Sequence, residues 1–238
     1  MSLPRVLVCA PTSIFKDYCF IDWIKNVEQF TYPLFDVFLC DNSSDLEYSK
    51  KVNDYAWKNI SNNFYCFHYP LEKQPLVQKI AYSHDVCSHI AVHKHYDYML
   101  HLETDVFPEK DIIERLLWNN KEVVGAVYYT EEGAKRKPVL QRIINLSPNE
   151  EDIVSVNFEP KEDLGFLNGE VKQVGHVGLG CVLIKTTVFE KVKFRCDLDY
   201  PEHSADSFFA NDCYDNKIPI YVDTSLVAKH RNRAWTNK

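Results

Sequence analysis

Two carboxylates, Glu103 and Asp105, follow the run Tyr98-Met99-Leu100-His101-Leu102. That run reads as a buried strand, and strand side chains spaced i, i+2 point to the same face. Two negative charges on one face at a sheet edge repel each other. A cation beside them would offset the repulsion, and hard divalent ions prefer carboxylate oxygens. The same spacing also suits two loop acids, with Asp105 capping a turn, so the pattern alone leaves both readings open. Val106-Phe107-Pro108-Glu109 leaves the strand, and a helix is expected from about Lys110. Open α/β sheets bind ligands at this carboxyl edge.

The elements that must position the two acids alternate along the chain. Arg5–Ala10 reads as a strand, Phe15–Phe30 as a helix, Asp36–Cys40 as a strand and Leu46–Ile60 as a polar helix. Phe64–Tyr69 is the third strand, Leu76–Lys94 a helix, Tyr98–Glu103 the fourth strand, Lys110–Trp118 a helix and Val123–Tyr129 the fifth strand. Strands alternating with helices at this spacing imply an α/β fold whose parallel sheet is covered on both faces. The near-continuously apolar strands fit that burial.

Residues Thr130–Asn168 are polar and weakly periodic, as expected of an irregular segment or small hairpin layer over the sheet edge. Beyond it come Gln173–Ile184, helices near Thr186–Lys191 and Ala205–Asn216, and a strand at Ile218–Val222. With no internal repeat or low-complexity linker, residues 1–238 read as a single domain.

Composition narrows the function. A formal net charge of −7 argues against a nucleic-acid backbone or an anionic membrane as the main partner. No apolar run reaches the length of a membrane span, and no signal-peptide pattern opens the chain. The eight cysteines include no C-x-x-C pair and several lie in apolar strands, which predicts buried reduced thiols and a cytoplasmic setting. His89 and His93 have the i, i+4 spacing of zinc sites, but with no accompanying ligand motif they read as surface or packing histidines. All seven glycines lie at or after Gly125, whereas the turn after the first strand is Pro11-Thr12-Ser13-Ile14. A dinucleotide-binding G-x-G-x-x-G or a P-loop needs its glycines in that turn, so both are excluded.

The order strand–Pro11-Thr12, strand–Asp41-Asn42-Ser43-Ser44-Asp45, strand–Glu103-Thr104-Asp105 resembles the GT-A fold of nucleotide-sugar-dependent glycosyltransferases, most like family 2. Gly175-His176-Val177-Gly178-Leu179-Gly180 looks like that family's acceptor-side segment. Ala205-Asp206-Ser207-Phe208-Phe209 looks like its acidic helix start, and Val227-Ala228-Lys229-His230 its closing strand with a metal-binding histidine. The resemblance implies a Rossmann-like, mostly parallel central sheet flanked by helices, with a smaller acceptor-side β/loop region. Residues 1–129 would form the nucleotide-binding half and 130–238 the acceptor-binding half.

It also implies roles. Asp41 would accept a hydrogen bond from the nucleotide base, with Pro11 and Thr12 lining that pocket; ordinary turn capping remains the other reading of Asp41. Glu103 would face the ribose or a metal-bound water, with Thr104 beside it. Asp105 and His230 would ligate Mn²⁺ or Mg²⁺ on the diphosphate, since mixed carboxylate and imidazole ligands suit those ions better than Zn²⁺. Lys229, Arg231 and Arg233 would help hold the diphosphate, or else form a solvated basic tail. His176, Gly178 and Gly180 would meet the acceptor. Asp206 would be the catalytic base that deprotonates the acceptor hydroxyl, implying inversion at the anomeric carbon; the other reading of Asp206 is a helix cap.

The pattern departs from the family in four places. Glu103 replaces the usual Asp, and Ala205 stands where relatives often carry an acid. The customary Arg near the nucleotide is missing, leaving Lys79 or His84 to substitute. The sequence runs only a few residues past His230, so neither a membrane channel nor a second catalytic domain is expected. The reading is a hexosyltransferase-type enzyme moving a sugar from a UDP- or GDP-type donor to a glycan or other hydroxyl acceptor. A retaining enzyme on the same fold and a non-catalytic nucleotide- or carbohydrate-binding module are the alternatives.

Overall fold

The computed structural model describes residues 3–69, 71, 74–132, 135–145, 153–158, 165–200 and 204–231. In chain order the elements are β1 (Val6–Thr12), α1 (Phe20–Glu28), β2 (Phe35–Asp41), α2 (Glu47–Asn59), β3 (Phe64–His68), α3 (Leu76–His93) and β4 (Tyr98–Leu102). Then follow β5 (Val106–Phe107), α4 (Ile112–Trp118), β6 (Val123–Val127), β7 (Tyr129–Glu132), β8 (Lys135–Pro138), β9 (Leu140–Asn145) and β10 (Ile153–Asn157). The last elements are β11 (Val171–Val174), β12 (His176–Val177), β13 (Cys181–Lys185), α5 (Ala205–Asp215), β14 (Ile220–Val227) and β15 (Lys229–His230).

Eight of these strands form one sheet in the order β11-β14-β6-β13-β4-β1-β2-β3. Strands β1 to β4 pair in parallel, as do β6 and β14. The sheet is not purely parallel, however. Strand β13 is inserted antiparallel between β4 and β6, and β11 lies antiparallel on β14. The sequence assigns no element to Gln173–Ile184; the first four residues of β13 are all buried, which suits a central position.

Alternate residues of each strand face opposite sides, and each side carries its own core. Val6, Val8 and Ala10 pack with Trp23, Ile24, Val52 and Ile113 beneath α1, α2 and α4. Leu7 and Cys9 pack with Cys87, Ala91, Phe209 and Cys213 beneath α3 and α5. The eight cysteines are unpaired, and all but Cys196 are buried. Strands β13 and β14 belong to the half expected to bind acceptor, yet they sit inside the main sheet and share its cores.

Local departures follow from backbone hydrogen bonds. The single helix expected over Phe15–Phe30 is a 3₁₀ turn at Ile14–Lys16 followed by α1, because Lys16 and Asp17 bond to carbonyls three residues back. Strand β4 stops at Leu102 rather than Glu103. Helix α4 starts two residues later than expected, and the 218–222 strand is displaced to Ile220–Val227. The polar stretch 130–168 contains the hairpin β7–β8 and two strands of a small sheet ordered β10-β9-β12.

Candidate functional site at the carboxyl edge of the sheet

Glu103 and Asp105 meet through a turn, not through a strand face. The Val106 amide donates to the Glu103 carbonyl at 2.9 Å, closing a tight turn immediately past β4. The chain then forms β5, which pairs antiparallel with β15 so that His230 lies opposite Val106. The Arg231 amide donates to the Asp105 carbonyl at 2.8 Å and locks this register. His230 Nε2 thereby reaches to 3.6 Å from Asp105 Oδ2.

One ligand atom each from Glu103, Asp105 and His230 lie within 4.8 Å of one another, and no other such group of His, Cys, Asp or Glu occurs among the described residues. Two details fit this set to a divalent cation. Asp105 Oδ1 is buried with no hydrogen-bond partner, which is costly unless something binds there. His230 donates its Nδ1–H to the Tyr129 carbonyl at 2.9 Å, a contact that fixes the tautomer and leaves Nε2 as the atom facing Asp105. The Tyr128 ring holds the imidazole edge-on, with centroids 5.4 Å apart. The mixed O and N donors suit Mn²⁺ or Mg²⁺.

Electrostatics at the cluster are coupled. Burial, reinforced by the Asp105 charge, pushes the Glu103 carboxyl up to about 7. Burial alone would raise Asp105 too, but His230 and Lys16 overcome it and hold Asp105 below its ordinary value. In return Asp105 raises His230, against a burial effect of opposite sign. Among the causes acting on Glu103, the Asp206 charge is the smallest.

Lys16 was not anticipated. It closes the 3₁₀ turn after β1, and its ammonium pairs with Asp105 Oδ2. The only signal in the sequence was its place, a few residues beyond the first strand, where the chain must cross the carboxyl edge. Tyr128 was also missed, although it explains two glycines. A methyl group on Gly178 or Gly180 would run into the Tyr128 ring, and the Gly180 amide donates to the Tyr128 hydroxyl at 3.2 Å.

Asp206 sits in the first turn of α5, just after the N-cap Ser204. Its Oδ1 accepts from the Ser204 hydroxyl and from the Ser207 amide, and its Oδ2 stands 3.4 Å from His176 Nε2. Burial would raise this carboxyl, but His176 and Ser204 hold it far below its usual range, so it stays ionised. Behind it lies a buried histidine pair. His101 Nδ1 is 2.5 Å from the Leu179 carbonyl, which can only accept, so Nδ1 carries the proton and Nε2 accepts from His84 Nδ1 at 2.7 Å. Burial lowers both imidazoles, His101 to about 4.

Of the remaining expected residues, Thr12, Asp41 and Arg231 have partners of their own. Thr12 is in register with Asp41 across β1 and β2, and its hydroxyl is 3.4 Å from that of Thr104 and 3.2 Å from that of Tyr48. Pro11 precedes it, half-buried. Asp41 is fully buried; Oδ1 accepts from the Ser43 amide and hydroxyl, and Oδ2 faces His68 Nδ1 at 3.2 Å. Both of its oxygens are therefore engaged in shaping the turn. Lys79 is half-buried in the first turns of α3. Arg231 pairs with Asp22 at 2.6 Å and covers the Phe107 ring, Lys229 is exposed, and Arg233 lies outside the described residues. His89 and His93 stack on the surface of α3.

Comparison with solved structures places the fold in a class. The chain superposes on GalNAc-T7, crystallised with UDP, GalNAc and Mn²⁺, with a TM-score of 0.66 at 12% identity, covering 99% of this chain and 45% of that one. It superposes on S. aureus TarS 1–349 in complex with UDP-GlcNAc with a TM-score of 0.60 at 13% identity, covering 98% of this chain and 61% of that one. Protein A197 from STIV matches at a TM-score of 0.51 and 18% identity, covering 97% of this chain and 87% of that one. The fold is thus GT-A-like: a mixed α/β architecture with a large, mostly parallel central sheet flanked by helices. This chain spans less than two thirds of the length of the GalNAc-T7 and TarS structures. No protein-family model and no curated protein sequence matches it. No helix among the described residues is long and apolar enough to cross a membrane.

Proposed function

We propose that this protein is a metal-dependent glycosyltransferase that moves a sugar from a nucleoside diphosphate to an acceptor hydroxyl. The observation that carries the proposal is the meeting of Glu103, Asp105 and His230 at the carboxyl edge. Shared architecture with proteins crystallised with UDP or UDP-GlcNAc supports a UDP-type donor over a GDP-type one.

Asp105 and His230 would hold Mn²⁺ or Mg²⁺, with Glu103 as a third ligand or on a bound water. Bound there, the ion supplies Lewis-acid stabilisation of the departing diphosphate. Thr12 and Thr104 line the donor side, while Asp41 keeps the β2 turn in shape through Ser43 and His68. His176, Gly178 and Gly180 build the acceptor side around Asp206.

Asp206 accepts the acceptor's proton. So acidic a carboxylate is a weak base toward a free alcohol, so the proton moves late, once the attacking oxygen has begun to bond the anomeric carbon. A single base on the acceptor side implies inversion. The test is a thermal-shift screen of UDP- and GDP-sugars with and without Mn²⁺, followed by NMR of the product's anomeric configuration. Mn²⁺-dependent stabilisation and an inverted product are expected. A retained configuration would remove the inverting role of Asp206, and binding without turnover would leave a non-catalytic module.

A further inference from the structure

Lys16 is paired with Asp105, the most buried acid of the candidate metal cluster. The 3₁₀ turn that carries it is pinned at both ends, by the Lys16 amide donating to the Ser13 carbonyl at 2.8 Å and the Ile14 amide donating to Ser43 Oγ at 2.8 Å. From this fixed base the side chain reaches Asp105 Oδ2, the oxygen that also faces His230. The Asp105 side chain is 1% exposed, whereas that of Lys16 is 26% exposed. The acid is therefore trapped and its cationic partner is at the door. A lysine ammonium is a point charge on a flexible four-carbon stem and can swing out without moving the backbone.

We propose that Lys16 is a displaceable counter-ion of the metal site, an inference that rests on the metal-dependent reading above. Without a divalent cation it neutralises Asp105, whose burial makes an uncompensated charge costly. An ammonium and a divalent ion repel at such short range, so a metal entering between Asp105 and His230 must expel Lys16. The expelled ammonium then needs a new anion, and a diphosphate arriving with the metal supplies one. Free metal consequently binds weakly, and metal together with a diphosphate binds well. Lys16 in this way couples metal entry to donor entry.

The experiment is a Mn²⁺ titration of the nucleotide-free protein followed by electron paramagnetic resonance, comparing wild type with Lys16→Met, with and without inorganic pyrophosphate. Lys16→Met is expected to bind free Mn²⁺ at least tenfold more tightly, and pyrophosphate is expected to improve Mn²⁺ binding more in the wild type than in the variant. Equal or weaker Mn²⁺ binding by a folded Lys16→Met overturns the displacement, while leaving the metal site standing. Failure of both proteins to bind Mn²⁺, with and without pyrophosphate, overturns the metal-dependent reading and the displacement together.

A second measurement needs no variant. Acylation of the Lys16 amine in the wild type, located by peptide mass mapping, should accelerate several-fold when Mn²⁺ alone is added at saturation. An unchanged rate with Mn²⁺ bound overturns the proposal.

Discussion

His230 Nε2 stands 3.6 Å from Asp105 Oδ2, although the two residues come from distant parts of the sequence. The contact exists because β15 pairs with β5 and the Arg231 amide bonds the Asp105 carbonyl, so backbone register rather than side-chain attraction sets the distance. A separation too large to share a cation would have removed the basis for a metal site here.

Asp105→Ala removes the most buried of the three ligands. Mn²⁺ affinity is expected to fall at least tenfold, equivalent to about 1.4 kcal/mol. Isothermal titration with Mn²⁺, and with UDP in the presence of Mn²⁺, checks it; unchanged binding in both titrations would count against the site.

Asp206→Asn keeps the shape and the Ser204 and Ser207 contacts within reach but removes the charge. Turnover is expected to drop by roughly 10²–10⁴, with donor binding spared. Steady-state rates alongside a donor titration separate this from a general loss of structure. A folded variant with undiminished rate would assign the base elsewhere.

The His84–His101 pair makes stability pH-dependent. The folded-state value of His101, about 4, lies below the ordinary 6.5, so the unfolded chain binds more protons in between. The His101 contribution to stability is therefore fully present above about 6.5, falls as the pH drops through this window, and is lost to its full extent below about 4. By pH 5 the His101 contribution to the loss is on the order of 2 kcal/mol. Glu103, held up to about 7, shifts stability in the opposite sense over the same window. The readout is therefore the difference between two thermal-melt profiles from pH 7.5 to 4.5. Wild type is expected to lose more stability on acidification than His101→Gln, which lacks the His101 titration. Parallel profiles for both proteins would refute the assignment.

Gly180→Ala tests the Tyr128 contact. The added carbon would sit 2.5 Å from the Tyr128 ring, and overpacking of this kind costs about 1–3 kcal/mol. A denaturant melt is expected to show that loss, and combining Gly180→Ala with Tyr128→Leu should recover part of it. A Gly180→Ala variant as stable as the wild type would mean that the ring moves aside freely.

Much of this protein was legible in its residue order. The α/β alternation, the apolar strands and the absence of early glycines follow from period and composition, which act locally and leave local traces. Glu103-Thr104-Asp105 and Ala205-Asp206 were visible because acids placed just after an apolar strand or at a helix start stand out against their surroundings. The antiparallel insertion of β13 left no trace, since a strand's sequence records its burial and not the direction of its neighbours. Neither did the His84–His101 pair, whereas the turn after β4 and the capping of Asp41 were among the readings that the residue types left open. Lys16 shows the division most sharply. Its charge is a property of the sequence, but its partner, Asp105, is chosen by a 3₁₀ turn, a sheet edge and a distant strand meeting in three dimensions. Residue types determined which chemistry was available; long-range pairing alone decided which groups would share it, because pair energies depend on distances that only the folded chain defines.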